Sequence, residues 1–147
     1  MIAELAAAFA PSKERFIETT VQGQAFLETT RAAWSCRTLD RLEKIYDGPV
    51  ALPVAVGVAS AGHDILLAAT IHAYVHAFAA NLISAGVRLV PLGQTDGQRV
   101  TAALEHDITA TAERALIVSL DEIGTSAFRA DLASMHHETQ YTRLFRT

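Results

Sequence analysis

The sequence predicts an all-α fold, and three features carry that prediction. Alanine, the strongest helix former, fills 27 of 147 positions, while glycine (8), proline (4) and aromatic residues (7%) are sparse; that balance favours helices over sheet. Apolar residues recur at spacings of three and four in the longest segments. Half of the residues are hydrophobic and 19% are charged, which supplies a core and excludes a disordered chain. The length suits a single all-α domain over residues 1–147.

Taken in order, MIAELAAAFA reads as the end of a helix rather than a signal segment, because Glu4 interrupts it and no basic stretch precedes it. Pro11 breaks the run. Ser12 caps a helix over Lys13 to Ala33, on which Phe16, Ile17, Val21, Ala25 and Leu27, with Trp34 just beyond, form the apolar stripe. Thr38 caps a shorter helix, Leu39 to Tyr46, which the Asp47-Gly48-Pro49 turn stops. From Gly48 to Val87 the one formal charge is Asp64, so this region is buried in protein, in lipid or under a partner. VALPVAVGVASAG alternates as a strand does, yet Pro53 and its small residues suit a tightly packed helix equally well.

Asp64 is the expected N-cap of the next helix, which holds 23 uncharged residues from Ile65 to Val87. That is long enough to span a bilayer. Thr70, His72, His76, Asn81 and Ser84 interrupt it, and no Lys/Arg-rich flank sets an orientation; a central core helix is expected instead. A kink or loop follows at Pro91. Thr95 or Asp96 caps a helix to about Leu104, a further helix runs from about Asp107 to Leu120 with Gly124 after it, and Ser126 starts a last one with Phe128, Leu132 and Met135 at i, i+4 and i+7.

The net charge of −4 argues against nonspecific nucleic-acid binding, which needs a basic footprint. Cys36 is the single cysteine, so neither an internal disulfide nor a Cys-based zinc site is available, and the cytoplasm is the default compartment.

Few constellations suggest chemistry. His72 and His76, four apart on a helix, place two imidazoles on one face and could chelate Ni²⁺ or Zn²⁺. The intervening Ala73, Tyr74 and Val75 exclude an HExxH site, and hydrogen-bonded core or interface histidines are the plainer reading. Gly93-Gln94-Thr95-Asp96-Gly97 precedes a helix as anion-binding loops do, but Asp96 opposes an anion and a backbone turn suffices. Ser60 and His63 suggest a small hydrolase, although the spacing is GxxSxG rather than GxSxG. No buried carboxylate pair is evident. The apolar surface and the Tyr, Phe and Arg of the tail point to a partner-binding protein.

The segment AYVHAFAANLISAGVRLVPLGQTDGQRV, Ala73 to Val100, resembles the UreF family of urease accessory proteins. Its LVPLGQ-x-xGQR stretch stands here within Arg88 to Arg99, and an ASMxHETQYxRLFRS-like tail stands at Ala133 to Thr147; GPVALPVAVGVASA and AFLETTRAAW are also similar to this family. The resemblance implies a helical bundle of UreF type with a C-terminal tail ordered by a partner. It further implies a non-enzymatic scaffold, with no cofactor of its own, that forms homodimers and bridges a UreD (or UreH) protein to the GTPase UreG. That complex engages apo-urease so that nickel enters together with carbamylation of the metal-bridging lysine.

By the same resemblance Met135, His137, Glu138, Thr139, Gln140, Tyr141, Leu144, Phe145 and Arg146 meet the UreD-type partner, while Arg88, Gln94, Gln98 and Arg99 shape the surface that UreG reads. An ion pair or a helix-dipole role is an equal alternative for Arg88. A nickel carrier using His72 and His76 is the second functional expectation. The family's N-terminal helices, with an SPAFPVGGFxYSHGLE-like motif, have no counterpart in this sequence. Exposed apolar surface between Gly48 and Val87 is therefore expected, and the chain is read as the C-terminal part of a UreF-like domain.

Overall fold

A computed structural model of the chain describes residues 2–90 and 92–141. Among these residues are eight α-helices, one 3₁₀ turn and no strand: α1 (Ile2–Ala8), α2 (Lys13–Ala33), α3 (Arg37–Ile45), α4 (Leu52–Gly62), α5 (Leu67–Leu89), α6 (Gln94–Ala103), α7 (Glu105–Ile117), the turn Leu120–Glu122 and α8 (Phe128–Glu138). The fold is all-α. The chain divides into two compact units, Met1–Asp64 with Gly124–Thr147, and Ile65–Ile123.

In the first unit α2 is the spine, and α1, α4 and α8 pack on it. It starts where the Ser12 hydroxyl accepts the Arg15 N–H at 3.2 Å, leaving an N-terminal signal that the sequence carries locally. Of the expected apolar stripe Leu27 is buried, Ile17 is half-buried and Phe16, Val21, Ala25 and Trp34 are exposed; the other buried residues of the helix are Gly23 and Thr30. At Gly23 the reason is close approach of backbone. A Cβ at Gly23 would collide with the Val50 carbonyl oxygen and crowd the Leu52 amide, so the absent side chain lets α4 enter against α2.

Thr19, one turn before Gly23, accepts the Leu52 N–H on its hydroxyl at 3.2 Å. Pro53 in the first turn of α4 lacks an N–H where none would be paired by the helix. These contacts decide VALPVAVGVASAG in favour of a helix. Leu27, Leu39, Val50, Ala55 and Ala59 form the core of this unit. Helix α3 begins at Arg37, one residue before the expected Thr38 cap, with Cys36 at its N-cap and no side-chain cap bond.

Asp64 does not cap α5. It takes φ of 56° after the end of α4, the left-handed position that closes a helix and that Asp tolerates better than most residues; α5 starts later, behind Leu66. In the second unit α5 packs along α7 and α6. By length and composition α5 could cross a membrane.

The expectation of a central core helix is corrected: none of its 23 residues is buried in this chain. The apolar Leu67, Phe78 and Leu82 are exposed, and among the described residues the buried side chains of this unit, Ile108 and Ala112, lie on α7. Helix α7 ends at Ile117, before the expected Leu120, and Ser119 with Glu122 closes a separate 3₁₀ turn. Helix α8 starts at Phe128 behind Ala127, not at Ser126.

Candidate functional site

Three of the four residues expected at a UreG-reading surface come together. Arg88 in the last turn of α5 and Gln94 and Gln98 of α6 line a groove of about 260 Å³. Its floor forms because Gly97 is buried and its missing side chain lets α6 approach α5; a Cβ there would stand 3.1 Å from Val87 Cγ2. Ala80, Ser84 and Arg88 repeat every four residues along α5, and Gln94, Gln98 and Thr101 follow helical spacing on α6. Ser84 and Thr101 were legible from that spacing once both helices were placed, yet no motif marked them. The Arg88 guanidinium donates to Ser84 Oγ at 3.1 Å.

Arg99 lies apart from the groove. Its Nη1 pairs with Asp96 Oδ1 at 3.0 Å, while Asp96 Oδ2 accepts the Gly93 N–H at 3.2 Å. Asp96 is thus the third residue of α6 and caps it from within, so Gly93 rather than Thr95 or Asp96 is the N-cap. Its carboxylate also occupies the end of the helix where an anion would be drawn, which agrees with a turn rather than an anion loop.

The tail residues divide. Leu144, Phe145 and Arg146 lie outside the described residues. Met135, His137 and Glu138 belong to α8, Thr139 is its C-cap, and Tyr141 is almost fully exposed. Glu138 reaches the start of α2: its Oε1 accepts the Lys13 N–H at 2.8 Å and the Glu14 N–H at 3.4 Å. His137 Nδ1 stands 2.7 Å from Glu14 Oε2. Ser134 and Ser12 hydroxyls bond at 2.7 Å.

With Ser12 on Arg15, the three first amides of α2 all have acceptors, a need every helix start has. Sequence reasoning missed this role for Glu138 because its partner lies 125 positions away. Helix α8 consequently docks with its polar side. Phe128, Leu132 and Met135, the expected apolar face, are turned to the surface and exposed.

Thr139 Oγ1 donates to the His136 carbonyl at 3.2 Å, and the Gln140 N–H reaches the His137 carbonyl at 3.2 Å.

The other candidates are not drawn into catalytic or metal geometry. His72 Nε2 lies 3.4 Å from Thr109 Oγ1, and among the described residues no three His, Cys, Asp or Glu side chains group as a metal site would require. His63 Nε2 donates to the Trp34 carbonyl at 3.0 Å, which withdraws that nitrogen from service as a base for Ser60. The Ser119 backbone N–H and then its hydroxyl hold the Glu122 carboxyl below the usual carboxylate range; the cause is a local turn on an exposed side chain, not a tuned acid.

The model of the family described as UreF matches residues 1–105. Over 146 residues, 99% of this chain, the sequence is 60% identical to the urease accessory protein UreF of Rhodopseudomonas palustris strain HaA2 and covers 62% of it. It is also 60% identical over 146 residues to the urease accessory protein UreF of Bradyrhizobium sp. strain BTAi1, covering 60% of that protein. The chain spans about three-fifths of the length of the curated relatives it matches.

Proposed function

We propose, on the premise that this chain belongs to the UreF family, that it serves urease maturation as a scaffold without catalytic residues or a resident cofactor. In this reading it bridges a UreD/UreH-type protein and the GTPase UreG, and the assembly engages apo-urease in the cytoplasm for nickel insertion. Nickel is the cargo of that assembly. A homodimer of the chain belongs to the same reading.

The observation that carries it is the distribution of apolar surface. Leu67, Phe78 and Leu82 on α5 and Phe128, Leu132 and Met135 on α8 are exposed, although exposed apolar groups in contiguous patches are characteristic of interaction surfaces. Tyr141, almost fully exposed, adds a side chain of the kind that dominates interface energetics. Arg88, Gln94, Gln98 and Arg99 are assigned to the UreG side, and Met135, His137, Glu138, Thr139, Gln140, Tyr141, Leu144, Phe145 and Arg146 to the UreD side.

The test is co-expression with UreD- and UreG-type proteins followed by co-purification and size-exclusion chromatography. A ternary species is expected. The reading is overturned if this chain elutes alone under conditions in which the longer Rhodopseudomonas palustris relative assembles. Deletion of Tyr141 to Thr147 is expected to abolish the UreD contact and leave the fold intact; undiminished binding would sink the tail assignment.

A further inference from the structure

We propose that the groove between α5 and α6 is a seat for a single carboxylate side chain, an Asp or Glu presented by a protein partner. The inference rests on the reading of this surface as partner-facing and goes further by naming the chemistry of the group it receives. Four observations support it.

The first is an excess of donors. Arg88 uses one guanidinium hydrogen bond on Ser84 and forms no ion pair among the described residues. Gln94 and Gln98, on the facing helix, add two carboxamides to the lining. A guanidinium presents five N–H donors in a fixed fork and no acceptor, and it matches the two oxygens of a carboxylate. The carboxamides can accept as well as donate; the guanidinium only donates, and a charged acceptor among the described residues is what it lacks here.

The second is charge number. Arg88 is the one charged residue lining the groove; Arg99 lies apart from it, paired with Asp96. The unit from Ile65 to Ile123 contains three arginines against six acidic residues. A lone guanidinium in that setting suits a monoanion, whereas a phosphate or a nucleic acid would call for several cations.

The third is size. A volume of about 260 Å³ falls below the range of about 300–1,000 Å³ typical of small-molecule sites, and Arg88, Gln94 and Gln98 are exposed at the rim. An Asp or Glu side chain enters such a groove with room to spare, and neighbouring side chains of its parent protein then fill the remainder and cover the rim.

The fourth is the floor. Val87 and Ile83 meet α6 at Gly97, so an inserted side chain rests its methylene groups on apolar atoms while its carboxylate faces Arg88. Docking removes that pair from water, where charge-assisted hydrogen bonds act strongly.

The experiment measures affinity for UreD-type and UreG-type proteins with wild type and with Arg88→Lys, Arg88→Gln and Arg88→Glu, each verified by circular dichroism and thermal melting. Arg88→Gln is expected to weaken binding of one partner by about 30-fold or more, the loss typical when one member of a buried ion pair is truncated. Arg88→Lys keeps the charge without the fork and is expected to fall between. Arg88→Glu is expected to abolish binding and to be rescued by reversing a single Asp or Glu of that partner to Arg.

Folded Arg88→Gln and Arg88→Glu variants that bind within twofold of wild type overturn the seat while leaving the scaffold reading in place. Loss of binding that no single acidic reversal in the partner restores overturns the carboxylate assignment, as does competition by inorganic phosphate beyond that of chloride at equal ionic strength. A wild-type chain that binds neither partner removes both the seat and the scaffold reading.

Discussion

The two units of the molecule are built from similar, alanine-rich helices and bury them differently. In the first, Leu39 and Ala55 are inaccessible to solvent and Leu27, Val50 and Ala59 nearly so; α4, which has no charged residue, is held between α2 and α3. In the second, α5 is longer and just as free of charge until Arg88, yet not one of its residues is buried. Low polarity therefore states that a helix must be covered and not by what. For α4 the cover comes from its own chain. For α5 the chain supplies α6 and α7 along part of its surface and leaves Leu67, Phe78 and Leu82 exposed.

The largest effect that tests this contrast comes from adding a methyl group on each side of it. Gly23→Ala places a Cβ against the Val50 carbonyl and Leu52 amide, backbone atoms that cannot turn aside, and is expected to destabilise the first unit by about 3 kcal/mol or more. Gly97→Ala meets the tip of the Val87 side chain. That group can shift, and alanine gains about 1 kcal/mol of helix propensity over glycine, so the net change is expected to stay within about 1 kcal/mol. Urea denaturation of the two variants measures the difference; equal losses would refute the distinction between a tight and a loose unit.

Side-chain removal gives the next effect. Leu39 is fully buried, and Leu39→Ala is expected to cost about 3 kcal/mol through lost transfer energy and an unfilled cavity. Ile108→Ala on α7 is expected to cost about 2 kcal/mol, nearer the low end of the same range, because the thin layer around it collapses more readily. Chemical denaturation followed by circular dichroism checks the order, and a larger loss at Ile108 would reverse the comparison.

The elements that were legible in the sequence are those specified by neighbours along the chain. Helix α2 runs from Lys13 to Ala33 behind Ser12, as its cap and periodicity state. The elements that were not legible depend on distant partners. The choice between strand and helix after Gly48 is made by Thr19 and Gly23, some thirty positions earlier. Asp64 carries the chemistry of a helix start and instead ends one with a positive φ. At the candidate site, Arg88, Gln94 and Gln98 were pointed out by family resemblance and are brought together by the α5–α6 approach at Gly97. The resemblance also marked Arg99, which local pairing with Asp96 diverts. No local pattern could assign Glu138 to the first amides of α2.

That contact predicts an effect of intermediate to small size. Glu138→Gln leaves an oxygen acceptor but removes the charge that favours the N-terminal end of α2, and Glu138→Ala removes the acceptor as well. The losses are expected to be about 0.5 and about 1 kcal/mol, in the range of helix caps. Hydrogen exchange locates them: the Lys13 and Glu14 amides should exchange faster in both variants, with the amides of α3 unchanged. Unaltered protection at Lys13 and Glu14 would show that α8 contributes nothing to the start of α2.

The smallest expected change in stability is also the one that bears most directly on the covering of α5. Leu82 is 56% exposed, so Leu82→Gln forfeits little burial within the chain, and its effect on unfolding should stay within about 0.5 kcal/mol, as for surface substitutions generally. If α5 is completed by another protein, the same variant places a carboxamide in a newly dry surface without a designed acceptor. A polar group buried in that way costs about 1–3 kcal/mol, equivalent to roughly five- to 150-fold in affinity. Paired measurements on one variant therefore separate internal from external cover: unchanged urea midpoint with weakened association places Leu82 at an interface. A reduced midpoint of the size found for Leu39→Ala would instead make Leu82 part of the chain's own core, and unchanged association would leave this part of α5 outside the interface.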